Sequence, residues 1–333
     1  MMRALVLAIL LASGSADSRP AKPAPYASRA EVREFVDELV TRHGFVKGEL
    51  EYVFAHARRE RAILKAIAPP PAKDRRSWSA YRALFVNDRH IGGGVEFWRA
   101  HGAALQRAET EFGVPAEVIV AIIGIETTYG RNMGRWRVVD ALATLAFDYP
   151  PRATFFRNEL RNFLLFARDS GIDVFSVRGS YAGAIGIPQF MPGSYLQYAI
   201  DFDGDGTVDL RASAVDAVGS VANFLKRHGW LPGAPVMFAA SVTGDGYRAY
   251  ADGSVEPRHA TADLLGAGVV APDLPLQARV ALIELDNGPA AREYRVGLAN
   301  FYVLTRYNRS SFYACAVMDL AEALRAARQP EGR

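Results

Sequence analysis

Residues 114–134 read VPAEVIVAIIGIETTYGRNMG. From residue 118 to residue 125 every position is apolar or glycine, so a helix here has no polar face and must be buried all round. Pro115 suits a first helical turn, where its missing N–H costs nothing. Gly130 offers a C-terminal stop. Glu126 then falls in the last turn, with Ile122 and Ile123 one turn behind it on its own face. Desolvation disfavours its anion, and so does the partial negative charge of a helix C-terminus. A carboxyl kept protonated near neutral pH is what a general acid requires. The competing reading is a structural Glu paired with Arg131, Arg135 or Arg137, and the helix alone weighs the two equally.

Upstream, residues 28–68 carry apolar positions at helical spacing, with a stop at Gly44 and a break at Pro69-Pro70-Pro71. Residues 77–112 continue as helix, with an interruption expected at Gly92-Gly93-Gly94. Downstream, residues 135–146 and 151–168 read as a helix pair divided by Tyr149-Pro150-Pro151. Residues 179–193, GSYAGAIGIPQFMPG, hold too many small residues for a regular helix. Their backbone is expected to be shaped for close approach by something else. Residues 216–229 return to helix. Strand character follows at residues 236–242, 279–285 and 294–297, with Asp286-Asn287-Gly288 as a hairpin turn. Residues 300–328 are helical again. The class is mainly α with an inserted β-rich segment, an α+β arrangement.

Residues 201–207, DFDGDGT, place Asp201, Asp203 and Asp205 at positions 1, 3 and 5 of a loop with glycine at 6 and the Thr207 carbonyl at 7. An EF-hand loop wraps calcium in this way. The bidentate Glu expected at position 12 is replaced by Ala212, leaving Asp209 and Asp216 to complete the sphere. Three carboxylates so close repel one another without a cation, which favours a structural Ca2+ over a solvated acidic turn. No organic cofactor motif is present.

The 333 residues include 39 basic and 36 acidic side chains, a formal net charge of +3. That balance, with no basic track, argues against a nucleic-acid partner. Residues 1–16 carry a charged start, the apolar run ALVLAILLA and small residues after it, the pattern of a cleavable signal peptide. Export to a bacterial periplasm is expected, with residues 17–27 as a Pro/Ala linker. No cysteine follows the signal to carry a lipid, so no membrane anchor and no lipoprotein is expected. The single cysteine, Cys315, reads as a small core residue.

The segments IETTYGRNMGRWRVVDALATLAFDYPPRATFFRNEL, GSYAGAIGIPQFMPGSY, DFDGDGTVDL, DAVGSVANFLKRHGW and NFYVLTRYNRSSFYACAV together resemble the lytic murein transglycosylase B family, glycoside hydrolase family 103. The resemblance implies a lysozyme-like catalytic core (residues 108–230, with a calcium loop at 201–216), a helical domain (28–107) and a small β-rich domain (231–298). A C-terminal helical segment (299–333) completes the core and the helical domain. It implies a monomer acting on peptidoglycan glycan strands, with other cell-wall enzymes as possible partners. Glu126 becomes the sole acid/base. Tyr81, Ser180, Gln189, Phe190, Tyr307, Asn308 and Tyr313 become saccharide-cleft residues, and Arg152 a contact to the peptide-bearing part of the substrate. The calcium ligands become Asp201, Asp203, Asp205, Thr207 and Asp216. The chain departs from the family pattern at Pro151, where an arginine is usual, and at Phe224, where tyrosine is common. The spacing before Asp216 is also one residue longer.

The implied activity is non-hydrolytic cleavage of the β-1,4 bond between N-acetylmuramic acid and N-acetylglucosamine, giving 1,6-anhydromuramoyl ends. Two other functions fit the same residues. A muramidase would admit water as the nucleophile, and a wall-binding scaffold would use Glu126 structurally. Asp140 and Asp148, the other carboxylates near Glu126 in sequence, read as local capping groups.

Overall fold

Most of the chain is helical, as the apolar periodicity predicts. The structure, a computed structural model, describes residues 25–69 and 76–328. The expected signal peptide, residues 17–24 of the linker and Pro70-Pro71 lie outside the described residues. The chain divides after Ala57 into two units. In the first, a 3-10 turn at Tyr26–Ser28 leads into α1 (Ala30–His43) and α2 (Lys47–His56). Gly44 ends α1 in the left-handed conformation, as its position implies. Phe35 and Phe54 meet edge to face at 6.0 Å, and Val32, Leu39 and Leu50 are buried.

The second unit begins with α3 (Arg61–Ile67), α4 (Trp78–Arg82), α5 (Asp88–Ala100), α6 (Gly102–Phe112) and α7 (Ala116–Thr127). A two-residue strand, β1 (Trp136–Arg137), precedes α8 (Val138–Asp148) and α9 (Ala153–Asp169). Next come β2 (Arg178–Gly179), α10 (Pro192–Tyr198) and α11 (Ala214–Arg227). The β-rich segment contains β3 (Met237–Val242), β4 (His259–Ala260), α12 (Thr261–Gly266), β5 (Val269–Val270), β6 (Arg279–Leu285) and β7 (Glu293–Gly297). The chain then closes with α13 (Ala299–Tyr307) and α14 (Ser311–Arg328).

α7 is the central helix. Its residues from Val118 to Gly124 are all buried, and α5, α6, α11 and α14 pack around it. The expected break at Gly92-Gly93-Gly94 does not occur, because α5 runs through all three. Gly93 and Gly94 serve packing instead. A Cβ on Gly94 would lie 2.4 Å from a Leu324 methyl and 2.5 Å from the Tyr129 hydroxyl oxygen. The expected stop at Gly130 comes earlier as well. Thr128 and Tyr129 are already left-handed, at φ 51° and 61°, an uncommon conformation for side chains of this size. Tyr129 is held there by its hydroxyl, which donates to the His90 carbonyl at 2.7 Å, and by its ring against Phe97.

The helix expected from residue 135 begins only at Val138, since Trp136 and Arg137 pair as β1 with Gly179 and Arg178 of β2. The inserted sheet is antiparallel in the order β4-β6-β7-β3-β5, over a core that includes Leu264, Val280, Leu282 and Val296. The loop between β6 and β7 is wider than a two-residue turn, with Leu285 pairing Glu293. Its Asn287 is buried and accepts the Ser79 N–H at 2.8 Å, while the Asp286 carbonyl accepts the Trp78 N–H at 2.7 Å. The insertion thus fixes the start of α4, the helix that carries Tyr81.

Candidate active site

Glu126 projects from the last turn of α7 into a cleft of about 360 Å³. Thr127 fastens that turn to the glycine-rich loop, donating to the Ile187 carbonyl at 2.8 Å and accepting the Gly130 N–H at 2.9 Å. Gly134 lets the segment after α7 lie against the same loop, since a Cβ there would meet the Gly179 carbonyl oxygen at 2.1 Å. Gln189, left-handed at φ 52°, donates to the Met133 and Gly186 carbonyls at 3.2 and 2.8 Å. The Ser180 hydroxyl accepts the N–H groups of Ala182 and Ala184 at 3.2 and 3.0 Å. Both side chains are braced from behind and line the cleft with Glu126.

None of the three nearby arginines pairs with Glu126. Arg131 bonds Glu96 at 3.2 Å, Arg137 grips Asp140, and Arg135 lies over the Trp136 ring at 5.2 Å. Glu126 instead accepts a hydrogen bond from the Tyr313 hydroxyl at 2.7 Å. The side chain keeps some solvent contact, yet protein atoms crowd its carboxylate. That burial pushes its pKa up to about 7, against the smaller opposing pull of the Tyr313 hydrogen bond.

Two further tyrosines, Tyr307 and Tyr81, lie close enough to Glu126 to feel its charge. The Tyr307 ring stacks on Tyr313 at 6.3 Å and 11°, and its hydroxyl donates to the Pro188 carbonyl at 2.6 Å. Tyr81 packs on Phe312 and Phe85. Burial, and then the Glu126 charge, pushes the Tyr81 phenol up to about 12 and holds those of Tyr307 and Tyr313 well above their ordinary value. All three therefore stay protonated and able to donate.

A second groove, about 640 Å³, adjoins the first along Gln189 and is lined by Arg152, Tyr307 and Asn308 among others. Arg152 is exposed with its guanidinium over Phe155 at 4.3 Å, and Asn308 is exposed just past the end of α13. Phe190 also lines this groove, although it is only 2 % exposed, with its ring packed on Phe224 and Tyr307. Asp140 and Asp148 stand apart from Glu126. The Asp140 carboxylate is occupied by Arg137 at 2.6 and 2.9 Å and by the Arg58 N–H, and Asp148 pairs with Arg59 at 3.0 Å. Among the described residues, no second carboxylate lines the part of the cleft that holds Glu126.

The acidic loop brings carboxylate oxygens of Asp201, Asp203 and Asp205 within 4.8 Å of one another. These are hard oxygen donors on an exposed turn, and they fit calcium. Asp216, expected as a fourth carboxylate ligand, is not in that group. It is fully buried, and its oxygens accept the N–H groups of Phe202, Asp203 and Asp209 at 2.8, 3.2 and 2.9 Å. It ties the loop to α11 from behind. Asp209 is likewise engaged, by the N–H groups of Arg211 and Ala212.

Residues 27–322 match the family described as Transglycosylase SLT domain. The membrane-bound lytic murein transglycosylase B of Escherichia coli K12 is 42% identical over 313 residues, 91% of this chain and 85% of that one. The chain belongs to the lytic murein transglycosylase B family. It is an enzyme acting on peptidoglycan. Among solved structures, the soluble lytic transglycosylase SltB1 of Pseudomonas aeruginosa is 46% identical, with a TM-score of 0.85 over 90% of this chain and all of that one. The Escherichia coli lytic transglycosylase Slt35 in complex with calcium is 41% identical, with a TM-score of 0.81 over 92% and 96% of the two chains. The fold of this family member is accordingly mostly helical and lysozyme-like.

Sequence reasoning missed Trp136, Asn132 and Tyr181, which line the cleft beside Glu126. Tyr181 is 40% exposed within the glycine-rich loop, and Trp136 sits between two arginines. A large aromatic residue flanked only by charged or small residues is the signal that could have found both.

Proposed function

We propose that Glu126 is the single acid/base of a lytic transglycosylase reaction at the bond between N-acetylmuramic acid and N-acetylglucosamine. The observation that carries this reading is a carboxyl raised to about 7 in a cleft stretch with no second carboxylate among the described residues. Glycosidases that use external water ordinarily employ two carboxylates, one as acid and one as base or nucleophile. Glu126 protonates the glycosidic oxygen, and the bond to C1 breaks. The carboxylate left behind, held by the Tyr313 hydroxyl, takes the proton of the sugar's own C6 hydroxyl. That oxygen attacks C1 and closes the 1,6-anhydro ring. No water enters, and the nucleophile is already attached, which removes the entropic cost of collecting it. Tyr81, Ser180, Gln189, Tyr307 and Asn308 hold the saccharide, Phe190 supports them, and Arg152 meets the peptide-bearing part.

A calcium ion would be held by Asp201, Asp203, Asp205 and the Thr207 carbonyl. It would neutralise converging like charges and stiffen the chain between α10 and α11, with no part in bond cleavage. The charged, apolar and small-residue run at the N-terminus supports export to the periplasm. No described helix is long and apolar enough to cross a membrane.

Mass spectrometry of muropeptides released from purified sacculi tests the reading, with Glu126→Gln as control. Anhydro ends from the wild type and none from the variant are expected. Reducing ends would assign a muramidase, and sacculus binding without turnover a scaffold.

A further inference from the structure

A third groove, about 480 Å³, adjoins the catalytic cleft, sharing Arg135 and Trp136 but not Gln189 with it. Arg58, Arg137 and Arg178 line it as well, with Asp140 and Glu60. Its charge is unbalanced by construction. Asp140 is consumed by the Arg137 guanidinium, and its hydrogen bond from the Arg58 N–H fixes only the backbone there. The guanidinium groups of Arg58, Arg135 and Arg178 belong to exposed residues, and among the described residues none forms an ion pair. The Arg178 side chain donates only to the Arg135 carbonyl at 3.4 Å, and Arg135 lies over Trp136. The β1–β2 pairing even sets Arg137 directly opposite Arg178, an arrangement of like charges that destabilises a strand pair.

We propose that this groove is an anion-binding arm of the cleft that takes carboxylates carried by the glycan strand, those of its peptide stems. The proposal rests on the murein-cleaving reading above. Arginine suits the ligand because its planar fork matches a carboxylate with two parallel hydrogen bonds. Position suits it too. A strand with its scissile sugar at Glu126 passes over Trp136 into the groove, and the sugar rings themselves offer no formal charge there apart from their carboxylate-bearing substituents. The arm is separate from the groove that holds Arg152, which lies across Gln189.

The test compares KM and kcat for anhydro-product release from glycan strands bearing native stems with the same strands after carbodiimide conversion of their carboxylates to amides. In the wild type, amidation should raise KM about tenfold with little change in kcat, and added salt should raise KM only on native strands. In Arg58→Gln/Arg178→Gln, the amidated-to-native KM ratio should fall to about one. Arg58→Lys/Arg178→Lys should keep most of it, since charge survives. An unchanged ratio in the Gln pair would overturn the proposal, as would an equal rise of KM on both strands, which marks a sugar contact. Failure of the wild type to form anhydro ends on either strand would instead sink the underlying reading.

Discussion

Tyr313 and Glu126, 187 positions apart in the chain, share a hydrogen bond of 2.7 Å in which the phenol donates to the carboxylate. α14 delivers the donor and α7 the acceptor, and these two helices pack directly on one another. The bond opposes the effect of burial. Desolvation favours a neutral Glu126, while Tyr313 stabilises the anion. On the proposed reading one group serves both halves of a proton cycle, because neither charge state is stabilised beyond recovery near neutral pH.

Removing that donor should separate the two effects. In Tyr313→Phe the anion loses its partner, so the Glu126 pKa should rise above about 7. In the proposed mechanism the acid form is the active one, and the alkaline limb of the pH–rate profile should therefore move to higher pH. The maximal rate should fall about 10–100-fold, since the carboxylate formed after proton donation is less well stabilised. Rates of anhydro-product release between pH 4 and 9 measure both. A limb that moved to lower pH would show that Tyr313 does not set the charge on Glu126.

The same carboxyl should make stability depend on pH. Below its ordinary value of 4.5, Glu126 is neutral in folded and unfolded chains alike, and its burial carries no charge penalty. Between there and about 7 the folded chain keeps a proton that the unfolded chain has lost, so stability falls as pH rises. Above about 7 the full penalty, up to about 3 kcal/mol, is in place. Glu126→Gln should accordingly match the wild type at pH 4 and melt a few degrees higher at pH 8. Equal melting differences at the two pH values would contradict a buried, raised carboxyl.

How far the sequence could reach is clear from particular residues. The burial of α7 and the placement of Glu126 in its last turn followed from an unbroken apolar run, which has one physical solution. The stop did not. Thr128 and Tyr129 adopt left-handed conformations because Tyr129 is anchored to His90 and Phe97 from another helix, a constraint that local propensity does not contain. Gly92-Gly93-Gly94 misled for the same reason, since glycine that breaks a helix and glycine that admits a neighbour look alike in sequence. Tyr307 and Tyr313 were legible only through resemblance. Aromatic residues among apolar ones read as core, and Tyr313 is indeed 2 % exposed while touching Glu126.

Glycines within one helix pair should respond in opposite directions. On Gly124 a methyl would meet the Tyr129 hydroxyl oxygen at 2.5 Å and the ring at 2.7 Å. Tyr129 has nowhere to go, so Gly124→Ala should cost about 3 kcal/mol and displace Glu126, two residues along α7. Gly92 is exposed in α5 with nothing within 4 Å of an added Cβ. Gly92→Ala should stabilise by about 0.5–1 kcal/mol. Urea denaturation measures the pair, and a shift of the same sign in both would refute the packing argument.

Calcium should act on stability through the acidic loop, and Asp216 should prove distinct from the ligands. Asp201, Asp203 and Asp205 converge with no protein cation paired to them among the described residues, so a bound ion relieves their repulsion. At a hundred times its dissociation constant, calcium should stabilise the fold by about 2.7 kcal/mol. A chelator should reverse this, and magnesium should do less, because it demands tighter octahedral geometry. Asp201→Asn/Asp205→Asn should abolish the calcium increment while changing the calcium-free melting temperature little or raising it. Asp216→Asn should lower the melting temperature with and without the ion, because its carboxylate receives three backbone N–H groups that an amide oxygen alone satisfies poorly. A calcium-free Asp216→Asn protein as stable as the wild type would return Asp216 to the ligand set.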